Sequence, residues 1–202
     1  MKVIGVLDDS QQAIAASTVD KMLRLGGLRC IALDGYEIHQ HVKWWGSMPK
    51  LIAAMGEFPI DILLLHFTAQ SITPEMLSSM DLLYISDTTQ TVEIAGFSKT
   101  LVVDAENKAI FQAIIGMSIP VITIGFGSKV TVTASSIDEE EKGTTLSYCL
   151  QRGINTFFGE ELEPLEFPIS LLDDNRLILS LGAVTVALLA GVLARDIQKM
   201  LL

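Results

Sequence analysis

Residues 61–67 read Asp-Ile-Leu-Leu-Leu-His-Phe, an apolar run broken only by His66. Successive side chains on a strand point to opposite faces, so a strand with apolar residues at odd and even positions has two dry faces. Such strands belong to parallel sheets covered by helices on both sides. Short runs of the same kind recur: Val3-Ile4-Gly5-Val6-Leu7, residues 28–33, Leu82-Leu83-Tyr84-Ile85, Leu101-Val102-Val103 and Val121-Ile122-Thr123-Ile124. Helical patterns separate several of them. Ile14, Val19, Met22 and Leu23 recur on one face up to Gly26-Gly27. Residues 50–56 and 107–117 also read as helices. Thr73-Pro74 reads as an N-cap followed by proline at the first helical position. Residues 36–49 read as irregular. The alternation predicts an α/β fold with a doubly wound, mostly parallel sheet of the P-loop or Rossmann-like kind.

The pattern changes after Gly127. Residues 130–134 and 144–151 are β-rich and flank the acidic stretch 138–141, which reads as a solvated loop. A small antiparallel β patch near 130–170 is the expectation. Residues 177–194 contain no charged side chain and are flanked by Arg176 and Arg195. That length is near the lower limit for a membrane span. Ser180, Gly182, Thr185, Gly191 and the many alanines favour a buried helix, so no membrane insertion is expected.

The chain has 202 residues, 50% of them hydrophobic and 19% charged, which suits one globular domain spanning 1–202. A net charge of −10 argues against nucleic acid as a partner, since that needs a basic surface. Cys30 and Cys149 lack metal-ligand spacing and read as buried free thiols of a reducing, cytoplasmic compartment. The N-terminal apolar run stops at Asp8-Asp9 and is no signal peptide.

That stop is the most informative turn in the chain. A strand, a polar turn and a helix N-terminus form the usual phosphate site of an α/β protein, because free N–H groups and the helix dipole meet there. Here the turn is Asp8, Asp9, Ser10, Gln11, Gln12 and Ala13, with no glycine, no lysine and two carboxylates. Asp8 and Asp9 with His66 are weak metal candidates at strand ends, and a solvated acidic loop is the preferred reading. His39 and His41 would share a face if they lay on a strand, but no third ligand lies nearby, and a polar edge is preferred there too.

Five further segments carry a family resemblance. Val102-Val103-Asp104-Ala105-Glu106-Asn107 is similar to a V-V-N-A-D-D run. Val121-Ile122-Thr123-Ile124-Gly125-Phe126-Gly127 and Val132-Thr133-Ala134-Ser135-Ser136-Ile137 are similar to a "VITYGFG … V-x-A-x-x-I" pair. Residues 61–72 resemble a D-x-x-V-L-E-V-S-S-Q-x-L strand, and Asp174-Asn175 with Leu181-Gly182-Ala183 resembles an H-N-x-x-N-A-x-A-A helix. Together they resemble the central, ATP-binding domain of the Mur ligases, the peptidoglycan-related family that includes folylpolyglutamate synthetases. The resemblance implies that the family's N-terminal UDP-binding and C-terminal ligase domains are absent.

It also implies a cleft near His66, Thr68, Gln70, Asp104, Asn107 and Asn175. The family's P-loop, G-T-N-G-K-T/S, falls on Asp8–Ala13, where Gln12 stands for the lysine and Ala13 for the hydroxyl residue. Its magnesium-binding glutamate falls on His66, and the Asp-His pair and carbamate lysine have no match in residues 86–98. The resulting expectation is a pseudoenzyme with no catalytic residues, metal or cofactor, acting as a binding, regulatory or scaffold protein near cell-envelope or amide-ligase chemistry. A homo-oligomer or a protein partner goes with it. The alternative is the ATP-binding component of an ATP-dependent carboxylate–amine ligase, using ATP and Mg²⁺. A second alternative is a degenerate receiver-like signalling domain, suggested by Asp8-Asp9 and by residues 61–67.

Overall fold

The computed structural model describes residues 1–10, 12–87, 94, 97, 99–140, 143–171 and 176–200. The first half runs β1 (Lys2–Asp8), α1 (Ile14–Leu25), β2 (Cys30–Leu33), α2 (Gly35–Trp45), α3 (Met48–Met55), β3 (Ile62–Phe67), α4 (Pro74–Ser78) and β4 (Leu82–Asp87). It continues with β5 (Thr100–Asp104), α5 (Lys108–Ile114), β6 (Val121–Ile124), β7 (Val132–Glu140) and β8 (Gly143–Leu150). The end of the chain carries β9 (Ile154–Asn155), β10 (Glu161–Leu162), β11 (Leu165–Leu171), α6 (Leu177–Leu189) and α7 (Ala194–Ile197).

Nine strands form one sheet in the order β11-β8-β7-β6-β5-β4-β1-β3-β2, and β9 and β10 form a separate antiparallel pair. Strands β2 to β7 and β1 are parallel to their neighbours, while β8 and β11 run antiparallel at one edge. After β1 the chain builds β2 and β3 on one side, then crosses to β4 on the other. The carboxyl end of β1 is therefore the topological switch point, the place where doubly wound folds bind ligands.

Alternate residues of each central strand feed two separate cores, as the apolar runs require. Ile4 and Val6 of β1, Ile62 and Leu64 of β3, and Leu82 and Tyr84 of β4 pack with α1 and α6. Val3 and Leu7, Leu63 and Leu65, and Leu83 and Ile85 pack on the other face with Ile38, Leu51, Leu77 and Ile110 of the remaining helices. Each such buried aliphatic side chain contributes about 1.5–3 kcal/mol from the removal of apolar surface from water.

Three expectations need correction. Residues 36–49 are largely helical. Asp34 accepts a hydrogen bond from Glu37 N at 2.8 Å, and Glu37 returns one to Asp34 N at 3.0 Å, a reciprocal cap that starts α2. On that helix His39 and His41 stand about 200° apart around the axis, so they share no face. Within the acidic stretch 138–141, residues 138–140 are not a free loop, and Glu141 lies outside the described residues. Strand β7 reaches Glu140, with Asp138 opposite Thr145 and Glu139 opposite Thr144, because the alternating run Gly143–Leu150 extends the ladder. The antiparallel strands continue the main sheet. Finally, both cysteines are free, but only Cys30 is buried and Cys149 is partly exposed. Burial, with the neighbouring Asp20, pushes the Cys30 thiol up to about 12.

The uncharged segment forms α6, which is buried over Ser180–Leu189. At 1.5 Å per residue, 13 residues span about 20 Å. No helix among the described residues is long and apolar enough to cross a membrane. Its buried Thr185 is matched internally: Thr185 Oγ1 donates to the Leu181 carbonyl at 2.7 Å and lies 3.0 Å from the Tyr148 hydroxyl. Tyr84 OH donates to the Leu179 carbonyl at 3.2 Å. Gly182 lets α6 sit directly on Tyr84, since a Cβ there would fall 2.2 Å from the Tyr84 hydroxyl oxygen. Gly182→Ala must push the helix off the sheet, and a loss of about 2–3 kcal/mol is expected in urea unfolding. An unchanged midpoint would show that α6 packs loosely.

Candidate functional site

Asp8, at the switch point, is fully buried. Its place in β1 is in step with Ile4 and Val6, so its side chain turns toward α1. Asp8 Oδ2 accepts a hydrogen bond from Ala15 N at 2.8 Å, and Oδ1 accepts one from Ser10 N at 2.8 Å. Ser10 Oγ accepts from Ile14 N at 3.4 Å. The first turn of α1 is thus capped by groups from the strand end and the turn, not by its own N-cap residue, Ala13. Carboxylates are stabilised there by the helix dipole and by charge-assisted hydrogen bonds.

Ala13 adopts left-handed geometry (φ 48°, ψ 42°), alone among the described non-glycine residues. Gln12 is exposed, and Gln11 lies outside the described residues. Asp9 Oδ1 accepts from Ala69 N at 2.8 Å, tying the turn to the loop after β3. His66 Nε2 donates to the Asp8 carbonyl at 3.3 Å. Two carboxylates facing outward over the turn were the sequence expectation, but Asp8 points inward. Among the described residues no group of three or more His, Cys, Asp or Glu is placed to hold a metal ion.

The other candidates divide. Thr68 and Ser71 form a polar turn, with Ser71 Oγ accepting from Thr68 N at 3.0 Å, and Gln70 is exposed beside it. Asp104 Oδ1 accepts from Glu106 N at 2.9 Å, and Asn107 Oδ1 caps α5 through Ile110 N at 3.2 Å. Both therefore shape the turn between β5 and α5. Asn175 lies outside the described residues, as does most of 86–98. His66, Asp8, Ser86 and Asp104 stand at the carboxyl ends of four adjacent strands, in step with the residues that face α1 and α6. Sequence reasoning missed Ser86, whose buried Oγ makes no hydrogen bond among the described residues. Its parity with Leu82 and Tyr84 was the available signal.

A cavity of about 280 Å³ opens beside α1, lined by Ser17, Asp20, Asp34, Glu37 and His66 among others, with no lysine or arginine. The three carboxylates oppose an anionic occupant. Asp8 takes the Ala15 N–H and Ser10 the Ile14 N–H of α1, and the turn carries no cation, a donor set that does not fit a magnesium-bound nucleotide.

Two substitutions test this geometry. Asp8→Ala leaves buried N–H donors unmatched and is expected to cost about 3 kcal/mol in denaturant unfolding. Ala13→Gly removes the left-handed strain and should stabilise by about 0.5–1 kcal/mol. A neutral Asp8→Ala or a destabilising Ala13→Gly would contradict the observed turn.

No protein-family model matches the sequence, and no curated protein does. Solved structures do match. MurF from Acinetobacter baumannii is similar at a TM-score of 0.62 and 14% identity, over 98% of this chain and 45% of that one. A UDP-N-acetylmuramoyl-L-alanyl-D-glutamate–2,6-diaminopimelate ligase gives 0.68 and 11%, over 99% and 46%. An FPGS–AMPPCP complex gives 0.60 and 9%, over 98% and 62%. The chain spans less than half the length of these Mur ligases. What the likeness shows is the fold: an α/β, Mur ligase central-domain-like sheet with its helices.

Proposed function

We propose that this chain is a non-catalytic Mur ligase-like domain that serves as a binding, regulatory or scaffold module. The observation that carries the reading is the Asp8 carboxylate, which accepts the Ser10 N–H of the turn and the Ala15 N–H in the first turn of α1. A phosphate bound there would need those donors and a nearby cation. It would meet a buried negative charge instead. Gln12 at the lysine position and His66 at the glutamate position support the same reading, since neither neutralises a triphosphate nor supplies a hard oxygen ligand for Mg²⁺.

Fold and function separate when the site changes, so the activity of the similar ligases does not transfer with the sheet. A protein partner or a second copy is the proposed ligand. The exposed Tyr36 and Trp44, 72% and 84% accessible on α2, support a protein contact, because aromatic residues are enriched at interface cores. A link to cell-envelope or amide-ligase chemistry rests on the neighbours alone. The receiver-like reading loses support, as the nine-stranded sheet with its antiparallel edge resembles the ligases throughout.

The test is thermal unfolding with and without millimolar Mg-ATP. Ligands that bind the native state raise its melting temperature, and here a shift below about 1 °C is expected. A rise of several degrees would favour the ATP-binding ligase component over the proposal.

A further inference from the structure

The opposite end of the sheet holds a second cavity, of about 340 Å³, at the amino ends of β5 and β6. Thr100, Val121, Thr131, Arg152, Ile154 and Asn155 are among its lining residues. The position follows from the ladder: β8 runs antiparallel to β7, with Leu150 opposite Val132, so the residues after β8 return to the amino ends of the parallel strands. The backbone is closed there already. Leu101 N donates to the Pro120 carbonyl at 2.9 Å, and Gln151 N donates to the Thr131 carbonyl at 2.9 Å.

The side chains are not closed in the same way. Thr131 Oγ1 is engaged with Thr123. The Arg152 guanidinium, the Thr100 hydroxyl and the Asn155 amide make no hydrogen bond or ion pair with any described residue. Lys99 is close in sequence but pairs with Asp81 at 3.6 Å. Among the described residues that line this cavity Arg152 alone is charged, with the Glu161 carboxylate against Gly153 at its edge, in a chain of net charge −10. Pro120, Val121, Ile122 and Ile154 supply an apolar wall. Pockets of this size with an apolar lining and a few convergent polar groups are the usual form of small-molecule sites. A guanidinium selects planar carboxylates, which it meets through two parallel N–H groups.

We propose that this cavity binds a small organic carboxylate, its carboxylate on Arg152 and its apolar body against Val121 and Ile154. Thr100 and Asn155 donate the remaining hydrogen bonds. The site lies at the end of the sheet away from Asp8 and stands or falls independently of the nucleotide question.

The experiment is an amide NMR titration of the full chain with benzoate, using neutral benzamide as the shape-matched control. Benzoate should shift Val121, Thr131, Gly153, Ile154 and Asn155 saturably in the millimolar range, and benzamide should bind at least about tenfold more weakly. Arg152→Ala should weaken benzoate by a similar factor; Arg152 is exposed, and the same spectra report whether the variant is folded. Arg152→Lys, which keeps the charge and loses the fork, should fall between the two. Equal binding of benzamide, shifts confined to other parts of the chain, or an unchanged affinity in Arg152→Ala would overturn the proposal.

Discussion

A strand that buries both faces can be stable only when helices cover each side, and this constraint organises the molecule. Val3 and Ile4, neighbours in sequence, end in different cores, as do Leu63 and Leu64. Helices α1 and α6 close one side, and α2 to α5 close the other. Helix α6 packs against α1 and reaches across the sheet from β4 to β7. That position leaves it no wet face, which explains a segment without charge and without amphipathic pattern. Its hydroxyls survive there because Thr185 bonds to its own helix and to Tyr148. The same demand fixes Gly182, since only a residue without a side chain admits the Tyr84 ring.

This two-sided burial made the strands legible in the sequence. Period-two packing leaves continuous apolar runs, and those around Val3, Ile62, Leu82, Leu101 and Val121 all became strands. The Thr73-Pro74 start was equally readable, because its chemistry is local: Thr73 Oγ1 accepts from Met76 N at 3.3 Å. Helix α2 was missed for the opposite reason. It buries only Ile38, so a run containing His39, His41, Trp44 and Trp45 shows little helical periodicity. Its reciprocal cap, Asp34 with Glu37, was visible and was the signal to weigh. The acidic stretch misled because charge spoke for a loop, while pairing with Thr144 and Thr145 decided for strand.

The sites were less legible than the fold. The place of the turn at Asp8–Ala13 followed from the order of strand and helix. The direction of Asp8 followed from parity with Ile4 and Val6, yet the reading of two outward carboxylates ignored that parity. The hydrogen bond to Ala15 spans seven residues and depends on how α1 seats on β1. The cavity at Arg152 could not be read at all. It joins residues from 100 to 155, and no local pattern signals three polar side chains without partners among the described residues.

Asp8 also bears on how the start of α1 is stabilised at the switch point. A helix N-terminus at a switch point carries donors that must be matched by something. In a nucleotide-binding protein the ligand matches them, and the empty turn tolerates exposure to water. Here the fully buried Asp8 carboxylate matches the Ala15 N–H at 2.8 Å and holds Ser10 N at 2.8 Å, while Ser10 Oγ matches the Ile14 N–H. The interaction stabilises the junction of β1 and α1 without any ligand, and it makes an incoming anion compete with a tethered one. Tethering gives the carboxylate a high effective concentration at the site. A phosphate must therefore displace Asp8 from these donors, and do so without a lysine in the turn. The hydrogen bonds that stabilise the turn are thus the same ones that support the proposed reading of it as a turn closed to nucleotide.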